Sequence, residues 1–404
     1  MPEPLLFLSQ RIPYPPEKGE KIRAWRFLQH LAERYEIHLG CLHDDPADAR
    51  HIPFLKDMCA GLCCPPLTPW LAKVRSLTRL GRGEPLTLGY FDDADLRRWV
   101  TETLRRHRPR HVFVFCSAMV PYVRDYRAAI RILDMVDVDS DKWQQYARTQ
   151  PWPLSAIYER EHRTLLAFER AIGTEFDATL LASDAEARFF RSLAPESAAR
   201  IHAMRNGIDL AYYDPSQIYD NPFPRRAPVA VFTGAMDYWP NVQAVTWFAT
   251  EIMPVLHQGL PDFEFFIVGL NPVPAVERLA ERPGVTVTGR VPDVRPYLSH
   301  ADVVVAPLRI ARGVQNKVLE AMAMAKPVVA TPEACQGVAA IPGKELLVAG
   351  TPAEFAAQVA AVLDGTTGPL GAAARTRIVR DYQWNFDLLD GIMAPGSKAV
   401  AAAQ

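Results

Sequence analysis

Short, mainly apolar runs alternate along the chain with longer stretches in which apolar residues return every three or four positions. The runs at 5–9, 37–42, 111–116, 131–136 and 178–182 read as strands, and 20–33, 156–172 and 184–193 as helices. Apolar strands separated by helices predict a parallel sheet covered on both faces, because a parallel pair needs a long crossover between its strands. The rhythm breaks at 212–228, where YYDPSQIYDNPFPRRAP gathers proline and turn formers and reads as an interdomain linker. It restarts with strands at 229–233, 263–268, 285–288, 303–306 and 328–330 and helices at 242–256 and 315–325. A further helical pattern at 375–393 carries Trp384, Phe386 and Leu389 before a tail that reads as frayed.

Two open α/β domains facing each other satisfy this order, with strand carboxyl ends and helix amino ends lining the cleft where such sheets bind ligands. The length of 404 residues supports two cores rather than one. With 45 basic and 46 acidic residues the chain has no broad positive coat, so nucleic acid is not an expected partner. The six cysteines form no paired CxxC pattern and read as free thiols of a reducing cytoplasm, and no metal site is expected. The start MPEPLLFLSQRIPYPP lacks a basic leader, and no run of 18 apolar residues occurs, so the expected location is cytoplasmic, up to the inner membrane's cytoplasmic face.

The most informative stretch is PLRIARGVQNKVLEAMAMAKPVVATP at 307–332. A strand ends before it, a loop with Arg309, Arg312 and Gly313 follows, and a helix begins near Gln315. The free N–H groups at that helix start suit an anion, with Arg309 and Lys317 adding positive charge. Lys317 and Glu320 share one helical side, and a carboxylate one turn beyond a phosphate site can accept both hydroxyl protons of a vicinal diol. The spacing suggests a nucleoside diphosphate, phosphates at Val314, Gln315, Asn316 and Lys317 and ribose at Glu320. An ordinary surface Lys–Glu pair explains the same spacing.

These segments resemble the large retaining group 4 family of glycosyltransferases with the GT-B fold, α/β with two facing Rossmann-like domains and a C-terminal helix crossing back to the first. The landmarks are Gly234 in FTGAMDYWPN, Gly289 and Arg290 in TGRVPDVRPYLSHADVVVAPL, NKVLEAMAMAKPVVAT, NGID at 206–209 and RDYQWNFDLL near the end. The resemblance implies an acceptor-side domain over 1–215, a donor domain over 216–378 and a crossover helix over 379–396. Within the family, SQRIPYPPEKGEKIRAWRFLQHL and LDMVDVDSDKW are similar to the sugar transferases of bacterial exopolysaccharide clusters tied to the PEP-CTERM and exosortase system. The resemblance implies an activity that moves a sugar from a UDP-sugar or GDP-sugar to a glycan or polyprenyl-linked acceptor, with retention of configuration and without a required cofactor. Two departures stand out: Arg312 occupies the place of a donor-orienting glutamate eight residues before Glu320, and no basic residue closely follows Gly234. Arg312 then contacts either a phosphate or a charged sugar, and Arg290, Arg309 and Lys317 remain the charge partners of the phosphates.

In the first domain, Asp137 follows a strand and either orients an acceptor or sugar hydroxyl or caps the next helix. Gly19 in EKGEK permits close backbone approach to donor or acceptor, flanked by Lys18, Lys21 and Arg23, with a plain solvated turn as the alternative. The segment 69–83 places Leu71, Val74, Leu77 and Leu80 among Lys73, Arg75, Arg79 and Arg82 behind Trp70. It reads either as a basic amphipathic helix on anionic lipid or as a helix packed on its own domain. A non-catalytic nucleotide-sugar-binding scaffold is the competing function, since Arg312 replaces a familiar glutamate; nothing in the sequence sets the oligomeric state.

Overall fold

The computed structural model describes residues 2–16, 19–311 and 314–394. The chain divides into two units, Met1–Arg205 with the C-terminal segment from Phe386, and Asn206–Asn385, against expected divisions after 215 and 378.

The first unit is built on seven parallel strands. They are β1 (Glu3–Ser9), β2 (Tyr35–Cys41), β3 (Gly61–Cys63), β4 (His111–Phe115), β5 (Ile130–Val136), β6 (Ala178–Leu181) and β7 (Ile201–Ala203), in the order β3-β2-β1-β4-β5-β6-β7. Leu5, Leu6, Phe7 and Leu8 of the central strand are wholly buried, the apolar continuity that a strand covered on both faces requires. Strand order reverses direction between β1 and β4, so the loops leaving these neighbours diverge and open a crevice at their carboxyl ends.

The second unit repeats the plan with β8 (Val229–Thr233), β9 (Glu264–Val268), β10 (Val285–Gly289), β11 (Val303–Ala306), β12 (Val328–Ala330) and β13 (Leu347–Val348), in the order β10-β9-β8-β11-β12-β13. All pairings are again parallel, and the reversal lies between β8 and β11. The helix expected over 242–256 runs from Trp239 to Gly259 with one π turn, Phe248–Ile252, in its middle. Pro254 stands two residues after that turn; it lacks the N–H that an α-helical bond would need there, and the widened turn absorbs the loss.

The continuous helix expected over 375–393 is two helices, Leu370–Asp381 and Asp387–Met393. Between them the chain meets Gly207, where a Cβ would stand 2.5 Å from the Trp384 nitrogen, and Ile208 N–H donates to the Tyr382 carbonyl at 2.7 Å. The backbone is thus spent on a tertiary contact instead of helical bonds. The last helix belongs to the first unit: Phe386 stacks on His30 at 4.0 Å, Asp390 meets His30 at 2.8 Å, and Leu389 is buried.

Candidate functional site

In the second unit three neighbouring strands leave the sheet through glycine. Gly234 N–H donates to the Val268 carbonyl at 3.1 Å, and Gly269 N–H to the Gly289 carbonyl at 3.2 Å. A Cβ on Gly269 would lie 1.6 Å from the Gly234 oxygen, so only hydrogen fits there. Beside this edge, at the reversal between β8 and β11, stands Lys317. A Cβ on Gly234 would sit 3.3 Å from its Nζ and 2.8 Å from Asn241 Nδ2.

Lys317 lies in the first turn of the helix Asn316–Ala323, whose N-cap, Gln315, makes no capping hydrogen bond with its side chain. The helix starts in this way because β11 exits at the reversal and Val318, Leu319, Ala321 and Met322 bury its other face. Lys317 Nζ donates to Asn241 Oδ1 at 2.6 Å and lies 4.4 Å from the centre of the Phe232 ring. Asn241 Nδ2 in turn donates to the Ala235 carbonyl at 2.9 Å, which fixes the amide with its oxygen toward the lysine. Burial disfavours the ammonium and pushes the Lys317 pKa down to about 7, with Glu320 opposing the shift. The result is a lysine ready to take a proton when an anion arrives. Thr233, last residue of β8, adds a buried hydroxyl without a hydrogen-bond partner among the described residues.

One turn on, burial raises the Glu320 pKa, while the Tyr213 hydroxyl, donating to the carboxylate, and Lys317 counter it. Arg375 fixes that tyrosine by donating to the Tyr213 carbonyl at 2.8 Å and to the carbonyl of Ala323 at 2.7 Å. Arg309 is exposed and rests its guanidinium 5.7 Å from the Trp247 ring centre. Arg290 is exposed beyond β10, and Val314, Gln315 and Asn316 are partly buried at the helix start. Arg312 and Gly313, like Lys18, lie outside the described residues. The structure therefore joins Gly234, Lys317 and Glu320 and adds Asn241, Phe232, Thr233, Tyr213 and Gly269, which the sequence reading did not assign. Asn241 ends the FTGAMDYWPN landmark and is uncharged, so a pattern of basic residues does not reveal it.

In the first unit Asp137 follows Val136, a β-branched residue held at φ 67°, and the neighbouring strand exits through Cys116 at φ 78°. Such backbone is strained and persists only where the surroundings enforce it. Asp137 Oδ2 is 3.3 Å from Lys142 Nζ, which also holds Asp139 Oδ1 at 2.9 Å. Burial works against the Lys142 charge, but the two aspartates outweigh it and keep the ammonium well above its ordinary pKa. Behind them Glu169 accepts from Ser140 N–H at 3.2 Å, and burial, helped by Asp139, pushes its pKa up to about 8. A cluster of perturbed charges at strained strand ends is the kind of place where ligands bind.

Two expectations for this unit need correction. Gly19 is exposed at the start of the helix Gly19–Ala32, but Lys21 and Arg23 do not add ligand-facing charge. Lys21 pairs with Asp48 at 2.6 Å and the wholly buried Arg23 grips Asp134 at 2.7 Å, because each rises from the helix's inward face. The segment 69–83 is not one helix but Pro69–Leu77 and a short turn, Leu80–Arg82. Arg75 donates to the Gly89 and Tyr90 carbonyls at 3.1 Å each, and Arg79 pairs with Glu84 and Asp92. Among the described residues no helix is long and apolar enough to cross a membrane.

Residues 227–365 match the family model of group 1 glycosyl transferases. No curated protein matches the chain. Among solved structures the chain is similar to sucrose-phosphate synthase of Thermosynechococcus elongatus, at 17% identity and a TM-score of 0.66 with 100% of both chains covered. It is also similar to WaaG, a glycosyltransferase of lipopolysaccharide biosynthesis, at 16% identity and a TM-score of 0.67, covering 97% of this chain and 100% of that one. HepE of Anabaena in complex with UDP-glucose matches at 14% identity and a TM-score of 0.63, covering 99% of each chain. The two parallel sheets share the GT-B fold of these structures, and residues 227–365 of the second unit match the group 1 glycosyl transferase domain.

Proposed function

We propose that the protein transfers a sugar, with retention, from a nucleoside diphosphate sugar to a glycan or polyprenyl-linked acceptor in exopolysaccharide synthesis. The observation that carries the donor assignment is Lys317, poised near neutrality beside the glycine edge at the β8–β11 reversal. An arriving diphosphate supplies the negative charge that makes its protonation favourable. The amide groups at the start of Asn316–Ala323, with Arg309 and Arg290, complete the cradle. Glu320, steadied by Tyr213, takes the ribose hydroxyls. Charge that builds on the departing diphosphate is met by Lys317 and Arg309, so no protein nucleophile is needed, and that phosphate accepts the acceptor's proton during front-face attack. UDP-glucose bound to HepE supports a uridine donor over a guanosine one.

We assign acceptor recognition in the first unit to Asp137, with Gly19 giving close backbone approach. Resemblance of the first helix and of LDMVDVDSDKW to exosortase-associated transferases supports a polysaccharide acceptor. A panel of UDP- and GDP-sugars, assayed for binding and turnover in the wild type, Lys317→Ala and Glu320→Ala, tests the reading. Donor-dependent turnover lost in both variants supports it; binding without turnover makes the protein a scaffold, and unchanged turnover in both variants rejects the donor site.

We further propose peripheral contact with an anionic membrane through the first unit. Trp70, Leu71, Val74, Leu77 and Leu80 are exposed, and Lys73 and Arg82 stand exposed among them, with no acidic residue between Asp57 and Glu84. Glu161 of the helix Leu154–Glu175 receives the Leu86 and Thr87 N–H groups, and this helix exposes Leu154 and Ile157 as well. Apolar side chains ringed by uncompensated positive charge suit lipid headgroups. Sedimentation with phosphatidylglycerol vesicles should fall for Lys73→Glu/Arg82→Glu and for Trp70→Ser; equal sedimentation of all variants, or a patch that instead dimerises the chain, would reject a lipid partner.

A further inference from the structure

At the amino end of β2, Glu36 and His38 are two residues apart and therefore share a face of the strand. The helix Ala94–His107 packs over this strand and ends on His107, after which the chain turns away through Arg108 at φ 45°. This brings the His107 ring to 4.1 Å from that of His38, centre to centre. One ligand-type atom from each of Glu36, His38 and His107 lies within 4.8 Å of the others. His38 Nε2 is 3.7 Å from Glu36 Oε1, beyond hydrogen-bond reach.

The arrangement leaves a debt. His38 is 3% exposed, and its Nε2 has no hydrogen-bond partner among the described residues. A buried ring nitrogen left unmatched is destabilising, so a ligand for it is favoured. The ring is held there: a Cβ on Gly61, its neighbour on β3, would lie 2.7 Å from His38 Nδ1, so a larger residue would displace it. Glu36 and His107 are partly exposed, which leaves a route for an ion and room for water ligands.

We propose that Glu36, His38 and His107 form a binding site for a borderline divalent cation of the zinc and cobalt kind. Two imidazoles and one carboxylate are the donors such ions take, and hard ions such as magnesium prefer oxygen alone. The ion satisfies His38 Nε2 and ties the end of the Ala94–His107 helix to β2, so its role is structural. No part of the donor site is involved.

The test is titration of metal-free full-length protein with Co2+ and Zn2+, read by calorimetry and visible absorption. One ion should bind per chain, and Zn2+ should raise the melting temperature by several degrees. His107→Ala and Glu36→Gln, both at partly exposed positions, should weaken binding by at least roughly tenfold while UDP affinity, the measure of an intact fold, stays unchanged. Failure of the metal-free wild type to bind either ion would overturn the proposal. So would unchanged affinity in both variants, or a sulfur-to-cobalt charge-transfer band, which would move the ion to Cys41, Cys63 or Cys64 at the other end of β2 and β3.

Discussion

Lys317 should make nucleotide binding consume a proton. Burial drops its pKa from 10.5 to about 7 in the free protein, a penalty on the charged form of order 5 kcal/mol. A diphosphate beside Nζ reverses that balance and restores the pKa toward its ordinary value. At pH 7 about half of the free protein already carries the proton, so binding takes up about 0.5 proton; at pH 8 it takes up about 0.9. The sign follows: the complex binds more protons than the free protein, so affinity falls as pH rises. From pH 7 to pH 8 the loss is about fivefold. Phosphate groups lose their second proton near pH 6, and so contribute little in this window. Calorimetry of UDP binding in two buffers of different ionisation enthalpy measures the uptake directly. Lys317→Met should bind more weakly at pH 7 and show no uptake, whereas Glu320→Gln should retain it. Zero uptake in the wild type, or equal uptake in Lys317→Met, would refute the reasoning.

Glu320→Gln removes a charged acceptor from the ribose and should weaken UDP by about 10- to 100-fold, with Tyr213→Phe showing a smaller loss in the same titration. Glycine substitutions should separate space from conformation. Gly269→Ala places a Cβ 1.6 Å from a backbone oxygen and should cost more than about 4 kcal/mol or unfold the second unit. Gly289→Ala meets nothing within 4 Å but has a φ of 67°, so denaturant unfolding should show a loss of only about 1–2 kcal/mol. Glu169, whose pKa is raised to about 8, binds its proton more tightly folded than unfolded. Its contribution is fully present below pH 4.5 and is lost as pH rises through 8, at up to about 1.4 kcal/mol per pH unit. Glu169→Gln should flatten that part of the first unit's stability profile, and an unchanged slope would show that another group sets it.

The long strands were legible because a strand buried on both faces is a continuous apolar run, as in Leu5–Leu8 of β1 and Val303–Ala306 of β11. β3, β7 and β13 span three, three and two residues, too few for any period to show. Lys317 and Glu320 could be paired from sequence because one turn of helix separates them. Asn241 could not, since it reaches Lys317 across 76 residues, and Tyr213 sat in a stretch that reads as linker. Charge near the first loop misled for a related reason. Lys21 and Arg23 look available until the fold brings Asp48 and Asp134 to them from 27 and 111 residues away. Local pattern shows which side chains share an element; it does not show which distant partner has already claimed them.

The most direct measurement is an experimental structure of the protein with UDP. The diphosphate should lie at the amino end of Asn316–Ala323 against Lys317, with both ribose hydroxyls on Glu320. A nucleotide bound elsewhere, with Lys317 still on Asn241 and Glu320 still on Tyr213 alone, would contradict it.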